Sequence, residues 1–527
     1  MNKVTSKISK LDATKFLLSM VFIALVFVPL VGIFSKMDGK TLKAVLSSEG
    51  FVSSLKNSLI STAVATVITI AFAMMAAFSV ARTRIKYKSW FTVLFTLPML
   101  IPSISLGMGL TILFGNNGVL TKLLGMESGI YGFVGIIMGS VLYAFPVAFT
   151  MLLDIIKYED GSPYEAAKVL GLSKYEQFKV ITLPYMRKPL INVVFAIFTL
   201  IVTDYGVPLM IGGKYTTIPV VMYQEVIGQL NFAKGSVYGS VLLIPAVIAF
   251  IIDFMNHDKG NSVYVIKEYN SSDSLKGKVT AYIICCLCGL YTMLPIFSFV
   301  LLAFAKKYPS DMSWTLENVI KTWDLKAGTY LFNSVIIALA VAVVGVVVAF
   351  LTAYLSARTE SKVSRFLHLS SMTSAAIPGV VLGLAYVLTF KKTAIYGTVI
   401  ILIMVNLVHF ISSPYLMIYN SLMKVNGNLE NVGQTLGIGR LRLIRDVFIP
   451  TCSSTLFEMF AYFFVNCMMT ISAVSFLANT SNKPIALMIN QFEAQMQLEY
   501  AAVVSLLILC VNIGVKTIFG MLKKKLN

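Results

Sequence analysis

Residues 331–356 read LFNSVIIALAVAVVGVVVAFLTAYLS, without one acidic or basic side chain. The hydrocarbon core of a bilayer takes ~20 consecutive apolar residues as a helix, because only a helix or a closed barrel satisfies its backbone groups there. This run is long enough to cross, and it is one of a series. Comparable runs are expected at roughly 16–34, 57–80, 91–114, 131–153, 190–211, 236–255, 279–304, 366–390, 396–419, 455–477 and 499–520. Barrel strands would alternate with a period of two, and these runs are continuous. The expected fold is an all-α integral membrane protein of about twelve transmembrane helices.

Composition agrees. Of 527 residues, 57% are hydrophobic and only 13% charged, against ~25% charged in soluble domains. A net charge of +19 would suit a nucleic-acid partner, but the basic residues are scattered beside the apolar runs rather than gathered on one face. No nucleic acid is expected. Lysine and arginine are retained on the cytoplasmic side of a membrane. With the N-terminus inside, Arg82, Arg84, Arg187, Arg358, Arg365, Arg440, Arg442 and Arg445 all fall there. Both termini are thus expected in the cytoplasm of a multi-pass cell-membrane protein. The first run follows Lys3, Lys7, Lys10 and Lys15 and reads as an uncleaved anchor. The six cysteines show neither zinc-ligand nor disulfide-framework spacing. No metal, cofactor or catalytic residue is expected.

The chain repeats itself. Asn57-Ser58 matches Asn333-Ser334, Ala81-Arg82-Thr83 matches Ala357-Arg358-Thr359, and Ile101-Pro102 matches Ile377-Pro378, all at an offset of 276. Leu170-Gly171 and Pro184 match Leu436-Gly437 and Pro450 at an offset of 266. Six runs per repeat is an even number, so the halves are parallel six-helix repeats. The expected division is 1–256, a cytoplasmic linker 257–278, and 279–527.

Between the fourth and fifth runs lies a polar segment rich in helix punctuation. Ser162, Pro163 and Glu165 form a capping-box pattern, Gly171 can take the positive φ that ends a helix, and Ser173 with Glu176 opens another. A helical hairpin follows, with Leu172, Tyr175, Phe178 and Ile181 as an apolar face and Pro184 as the break before the membrane. Glu165-Ala166-Ala167, Gly171, Ile181, Leu183 and Pro184 stand at the spacing of a known signature. The chain resembles the permeases of type I binding-protein-dependent ABC importers. The resemblance implies that this hairpin docks on an ATPase subunit and transmits its closure.

The second copy departs from the signature. Asn431-Val432-Gly433 replaces the Glu-Ala-Ala triplet, Glu430 is displaced by one, Gly437 and Pro450 are kept, and Val447 and Ile449 stand in for the isoleucine and leucine, with Asn428 as the expected cap. A charge contact made by Glu165 would lack a counterpart, so the two ATPase contacts are expected to differ. The nearest approach to a phosphate-binding loop, Gly39-Lys40-Thr41, has Phe34 in place of the first glycine. ATP is therefore expected on a separate subunit, in two copies, with an extracytoplasmic solute-binding protein delivering cargo across the lipid bilayer.

Ionisable groups inside membrane spans usually face a bundle interior or water. Asp204, His409 and Glu458 fall in the runs, with Asn466, Thr470 and Ser472 beside the last. Asp204, Thr470, Ser472, Asn466 and His409 are candidates for a translocation path, against the plainer alternative of interhelical packing. Pro98, Pro102, Pro378 and Gly379 interrupt the third and ninth runs, either as ordinary kinks or as breaks lining a cavity. The resemblance extends over nearly the whole chain, to fused permeases for ferric iron, thiamine and 2-aminoethylphosphonate. The stretch from Thr203 to Pro208, with Gln224 and Asn231-Phe232, is most similar to the phosphonate branch. An ion-coupled secondary transporter, which can also have twelve helices in two parallel halves, is the rival class.

Overall fold

A computed structural model describes residues 10–256, 269 and 274–526. Lys3, Lys7 and most of the expected linker lie outside the described residues. Among those described, nine helices are long and apolar enough to cross a membrane: Leu11–Ser35, Glu49–Arg82, Ser103–Leu123, Phe133–Lys157, Lys174–Val202, Phe232–Ile252, Leu275–Ala303, Glu317–Ala357 and Leu498–Lys525. Three bent pairs bring the number to twelve. Lys362–Ala376 with Gly379–Phe390 turns by 110°, Val399–Phe410 with Ser412–Met423 by 53°, and Arg440–Thr451 with Ser453–Met469 by 77°. In chain order these are the first to twelfth spans.

The interruptions follow from local chemistry. A residue before proline is driven out of the helical region. Ile101 and Ile377 accordingly take extended backbone (ψ 141° and 112°) before Pro102 and Pro378, so the third and ninth runs break at the same repeat position. These are full breaks, not gentle kinks.

Three expectations change. The fifth run does not continue to 211: its helix ends at Val202, and a new short helix, Gly206–Ile211, starts after a break at 203–205. Asp204 makes that break, its carboxylate accepting the N–H groups of Gly206 (3.3 Å) and Val207 (3.0 Å). The eleventh run likewise stops at Met469, because Thr470 turns extended. A two-stranded antiparallel hairpin, Ala305–Lys307 with Asp311–Trp314, stands between the seventh and eighth spans, a small β element in an otherwise helical fold.

The halves exchange their first helices. The first span lies along the ninth: Tyr386 donates its hydroxyl to the Leu25 carbonyl (2.9 Å), Phe27 stacks on Phe366, and Gly32 is small because Thr389 presses against it. The seventh span lies along the third, where a methyl on Gly109 would stand 2.8 Å from Pro295, and also touches the fourth, where Tyr291 donates its hydroxyl to the Met138 carbonyl. One buried apolar cluster joins both halves, including Leu110 and Val207 from the first and Val381 and Leu384 from the second.

Candidate coupling elbows and the passage between the halves

After the fourth span the chain forms a helix, Ser162–Val169, a turn, a short helix Lys174–Gln177, and a π-helical turn Phe178–Thr182 that runs into Leu183–Val202. We call this the first elbow. Its turn is built on Gly171 (φ +74°): Leu172 N–H bonds Ala167 O at 3.0 Å and Gly171 N–H bonds Lys168 O at 3.1 Å. The paired bonds are a Schellman motif, which needs a left-handed residue. Gly437 (φ +69°) repeats it, with Ile438 N–H on Gly433 O at 2.8 Å and Gly437 N–H on Gln434 O at 3.1 Å.

Ser173 and Glu176 form the expected reciprocal box. The other expected caps are not made by the expected residues. Ser162 begins the helix rather than capping it, and turns its N–H and hydroxyl back to Asp160 (3.0 and 2.9 Å). Asn426 does the same for Asn428 N–H at 2.9 Å, at the equivalent repeat position. Pro184 does not break the chain either. The wide π turn before it absorbs the missing N–H, and one helix runs from Lys174 to Val202. In the second elbow the bend falls after Pro450, at Cys452.

Glu165 is half-buried, Ala166 exposed and Ala167 buried; Ile181 is half-buried; Leu183, Pro184, Asn431, Ile449 and Pro450 are exposed. The expected apolar face is only partly presented. Tyr175 is open, Leu172 and Ile181 are half-covered, and Phe178 packs on Phe78. The open apolar surface sits instead at the turns, with Val169 and Leu170 at 88% and 78% exposure and Leu436 and Leu441 at 67% and 84%.

What holds each elbow was not anticipated. Arg82, ending the second span, pairs with Glu159, donates to the Tyr164 hydroxyl (3.0 Å), and lies 3.9 Å from the centre of the Tyr269 ring. Tyr164 also bonds Glu159 and Thr182. Arg358, ending the eighth span, grips Glu430 through two bonds of 2.7 and 2.6 Å and the carbonyls of Val425 and Asn426 at 2.8 and 2.7 Å. Glu430 therefore faces inward, onto Arg358. Burial works to raise its carboxyl, but the Arg358 hydrogen bonds and charge bring it below the usual range.

At the far end of the same two spans, Asn57 and Ser58 bind the Thr216 carbonyl (3.1 Å) and the Ile218 N–H (2.8 Å). Asn333 and Ser334 bind the Ser481 carbonyl (3.2 Å) and the Ile485 N–H (2.7 Å). The repeat marker visible in the sequence is thus a clamp on the segment after the fifth or eleventh span. Those segments meet between the halves, where the Tyr205 and Ser475 hydroxyls are 3.2 Å apart and Tyr205 stacks on Tyr223, which faces Phe476. The Asn490 amide stands beside both tyrosine hydroxyls.

The path candidates separate into two groups. Asp204 caps its helix and lines a pocket of about 10 Å³ with Ser58, Ser61 and Ser140, about the room one water needs. Around it two backbones cross: a methyl on Gly206 would stand 2.3 Å from Ser103 Oγ. The second half makes the same crossing with the roles exchanged, since a methyl on Gly379 would stand 2.2 Å from Ser472 Oγ and 3.1 Å from His409 Nε2. Ser472 and His409 are thus brought together, and His409 Nδ1 has no hydrogen-bond partner among the described residues. Asn466 and Thr470 are satisfied along their own chain, Asn466 on the Tyr462 carbonyl and Thr470 on the Asn466 carbonyl. Glu458 pairs with Lys523. Nearer the elbows, Leu183, Arg187, Ile191 and Phe195 share one open face of the fifth span.

The family described as binding-protein-dependent transport system inner membrane component matches residues 69–257 and 345–527, one segment and one elbow in each half. The chain belongs to that family. This permease is a fused, two-repeat member of the type I ABC importers. It is 27% identical over 518 residues to a ferric transport system permease protein of Actinobacillus pleuropneumoniae, across 91% of this chain and 74% of that one. A putative ferric transport system permease protein of Haemophilus influenzae is 26% identical over 516 residues, across 91% and 80%. A thiamine transport system permease protein of Brucella abortus is 30% identical over 139 residues, across 25% and 26%.

Proposed function

We propose that this permease is the whole membrane pathway of its importer, with two ATPase subunits seated on the elbows and a binding protein delivering solute at the opposite end. The observation that carries the reading is the pair of Schellman-turned elbows, each ending in exposed apolar side chains that await a partner surface. The elbows and both termini then face the cytoplasm. Nucleotide-driven approach of the two ATPase subunits draws the elbows together and opens the Tyr205–Ser475 closure toward the binding protein; hydrolysis returns the cleft to the elbow side. Asp204, Ser472 and His409 lie where the cargo passes.

For the cargo, ferric iron takes precedence over the phosphonate suggested by residues 203–232, because the ferric relatives match along nearly the entire chain. The phosphonate branch gains no support from these relatives. Proteoliposomes holding the permease and its ATPase, offered binding protein loaded with ferric iron, thiamine or 2-aminoethylphosphonate, test both levels. ATP-dependent uptake of iron is expected. Uptake driven by an ion gradient without ATP would overturn the importer reading, and ATP-driven uptake of another ligand only the choice of cargo.

A further inference from the structure

We propose that the second and eighth spans are struts that carry each elbow's displacement to the far closure, with Arg82 and Arg358 as the lower joints and Ser58 and Ser334 as the upper ones; this rests on the importer reading above. The strongest sign is that the lower joint is made twice by different means. Arg82 and Arg358 share a repeat position, but their carboxylates do not: under the offset of 266, Glu159 corresponds to Val425 and Glu430 to Tyr164. The contact is kept although its acidic partner has moved. Both arginine side chains are nearly covered, at 12% and 6% exposure, so neither pair is a solvent-screened surface bridge.

Each strut is stiff and spans the right distance. From Asn57 to Arg82, and from Asn333 to Ala357 with Arg358 as its C-cap, the chain is uninterrupted helix, about 37 Å from clamp to arginine at 1.5 Å per residue. The elbow is joined covalently only to its fourth and fifth, or tenth and eleventh, spans. The arginine adds a further helix, whose other end grips the closing segment. Ile218 opens the helix that ends at Tyr223, and Ile485 precedes the helix bearing Asn490. A push on either elbow therefore has a straight route to the aromatic closure, which in the second half avoids the bends of the tenth and eleventh spans.

The test uses the assembled permease–ATPase complex in a background lacking the six native cysteines, with nitroxides at exposed Ile227 and Met496, one in each half just beyond the closure. Closing the ATPase dimer with a non-hydrolysable ATP analogue should shift the distance between them. Arg358→Gln and Ser334→Ala should each reduce the shifting fraction about fivefold or more, within the range of ordinary coupling energies. The double variant should be no worse than the poorer single, because one strut is broken either way. Should Arg358→Gln not assemble, Arg358→Lys, which keeps the charge but loses the fork, takes its place in the cycle. Single variants that shift as wild type does, or losses that multiply in the double variant, would overturn the struts. A wild-type complex that never shifts would instead sink the importer reading.

Discussion

Replacing Gly171 by valine isolates what the first elbow's turn is worth. The residue sits at φ +74°, and a Cβ there would meet nothing within 4 Å, so no clash contributes. The whole effect is backbone strain, ~1–2 kcal/mol for an L residue held in the left-handed region. That is a 5- to 30-fold shift toward the unwound turn. The amide to watch is Leu172 N–H, which closes the Schellman motif on Ala167 O. Its hydrogen exchange should quicken by about that factor in Gly171→Val, and by much less in Gly171→Asn, because asparagine tolerates the left-handed region. ATP-dependent uptake in proteoliposomes should fall in the same order. Unchanged exchange in the valine variant would show that the left-handed turn is not what sets the elbow. Equal damage from asparagine and valine would place the requirement on a partner's surface rather than on this backbone.

The two crossings should respond unequally to a methyl group. Gly206→Ala meets a backbone nitrogen, Ile104 N, at 2.7 Å and should lower stability by about 1–3 kcal/mol. Gly379→Ala meets the Ser472 hydroxyl, which can rotate away at about 1 kcal/mol, as thermal melting in detergent will read. Ser58→Ala leaves the buried Ile218 N–H unpaired and should cost about 1–3 kcal/mol, whereas Ser58→Thr should recover part of it. Glu430 supplies a pH test. Its folded pKa lies below the ordinary 4.5, so its contribution is complete above that value and lost as pH falls through the lower one. The melting gap between wild type and Glu430→Gln should be full at neutral pH and close progressively below about 4.5; a gap that widens in acid would refute the pairing with Arg358.

Much of this molecule could be read from local chemistry. Apolar run length fixed the number of spans, and Gly171, Gly437 and the Ser173–Glu176 box marked the elbows, because each motif closes within a few residues. What escaped notice closes over longer distances. Arg82 and Glu159 are 77 positions apart and Arg358 and Glu430 are 72, so the repeat showed that the arginines matter without showing their partners. Asn57-Ser58 was visible as a repeated word, but its meaning depends on a loop 159 residues later. The break at Asp204 was missed because an unbroken apolar stretch looks helical until a capping carboxylate and a crossing backbone interrupt it. The inward turn of Glu430 onto Arg358 could not be read, because sequence order does not say which way a side chain turns.

The crossed-over first helix sets a timetable for biogenesis. Leu25 leaves the ribosome 361 positions before Tyr386, the residue that will hold its carbonyl. At ~5–20 residues per second the wait is roughly 20–70 s. Throughout that interval the N-terminal arm lies in lipid with its eventual seat not yet synthesised, and the newborn first half cannot finish folding on its own.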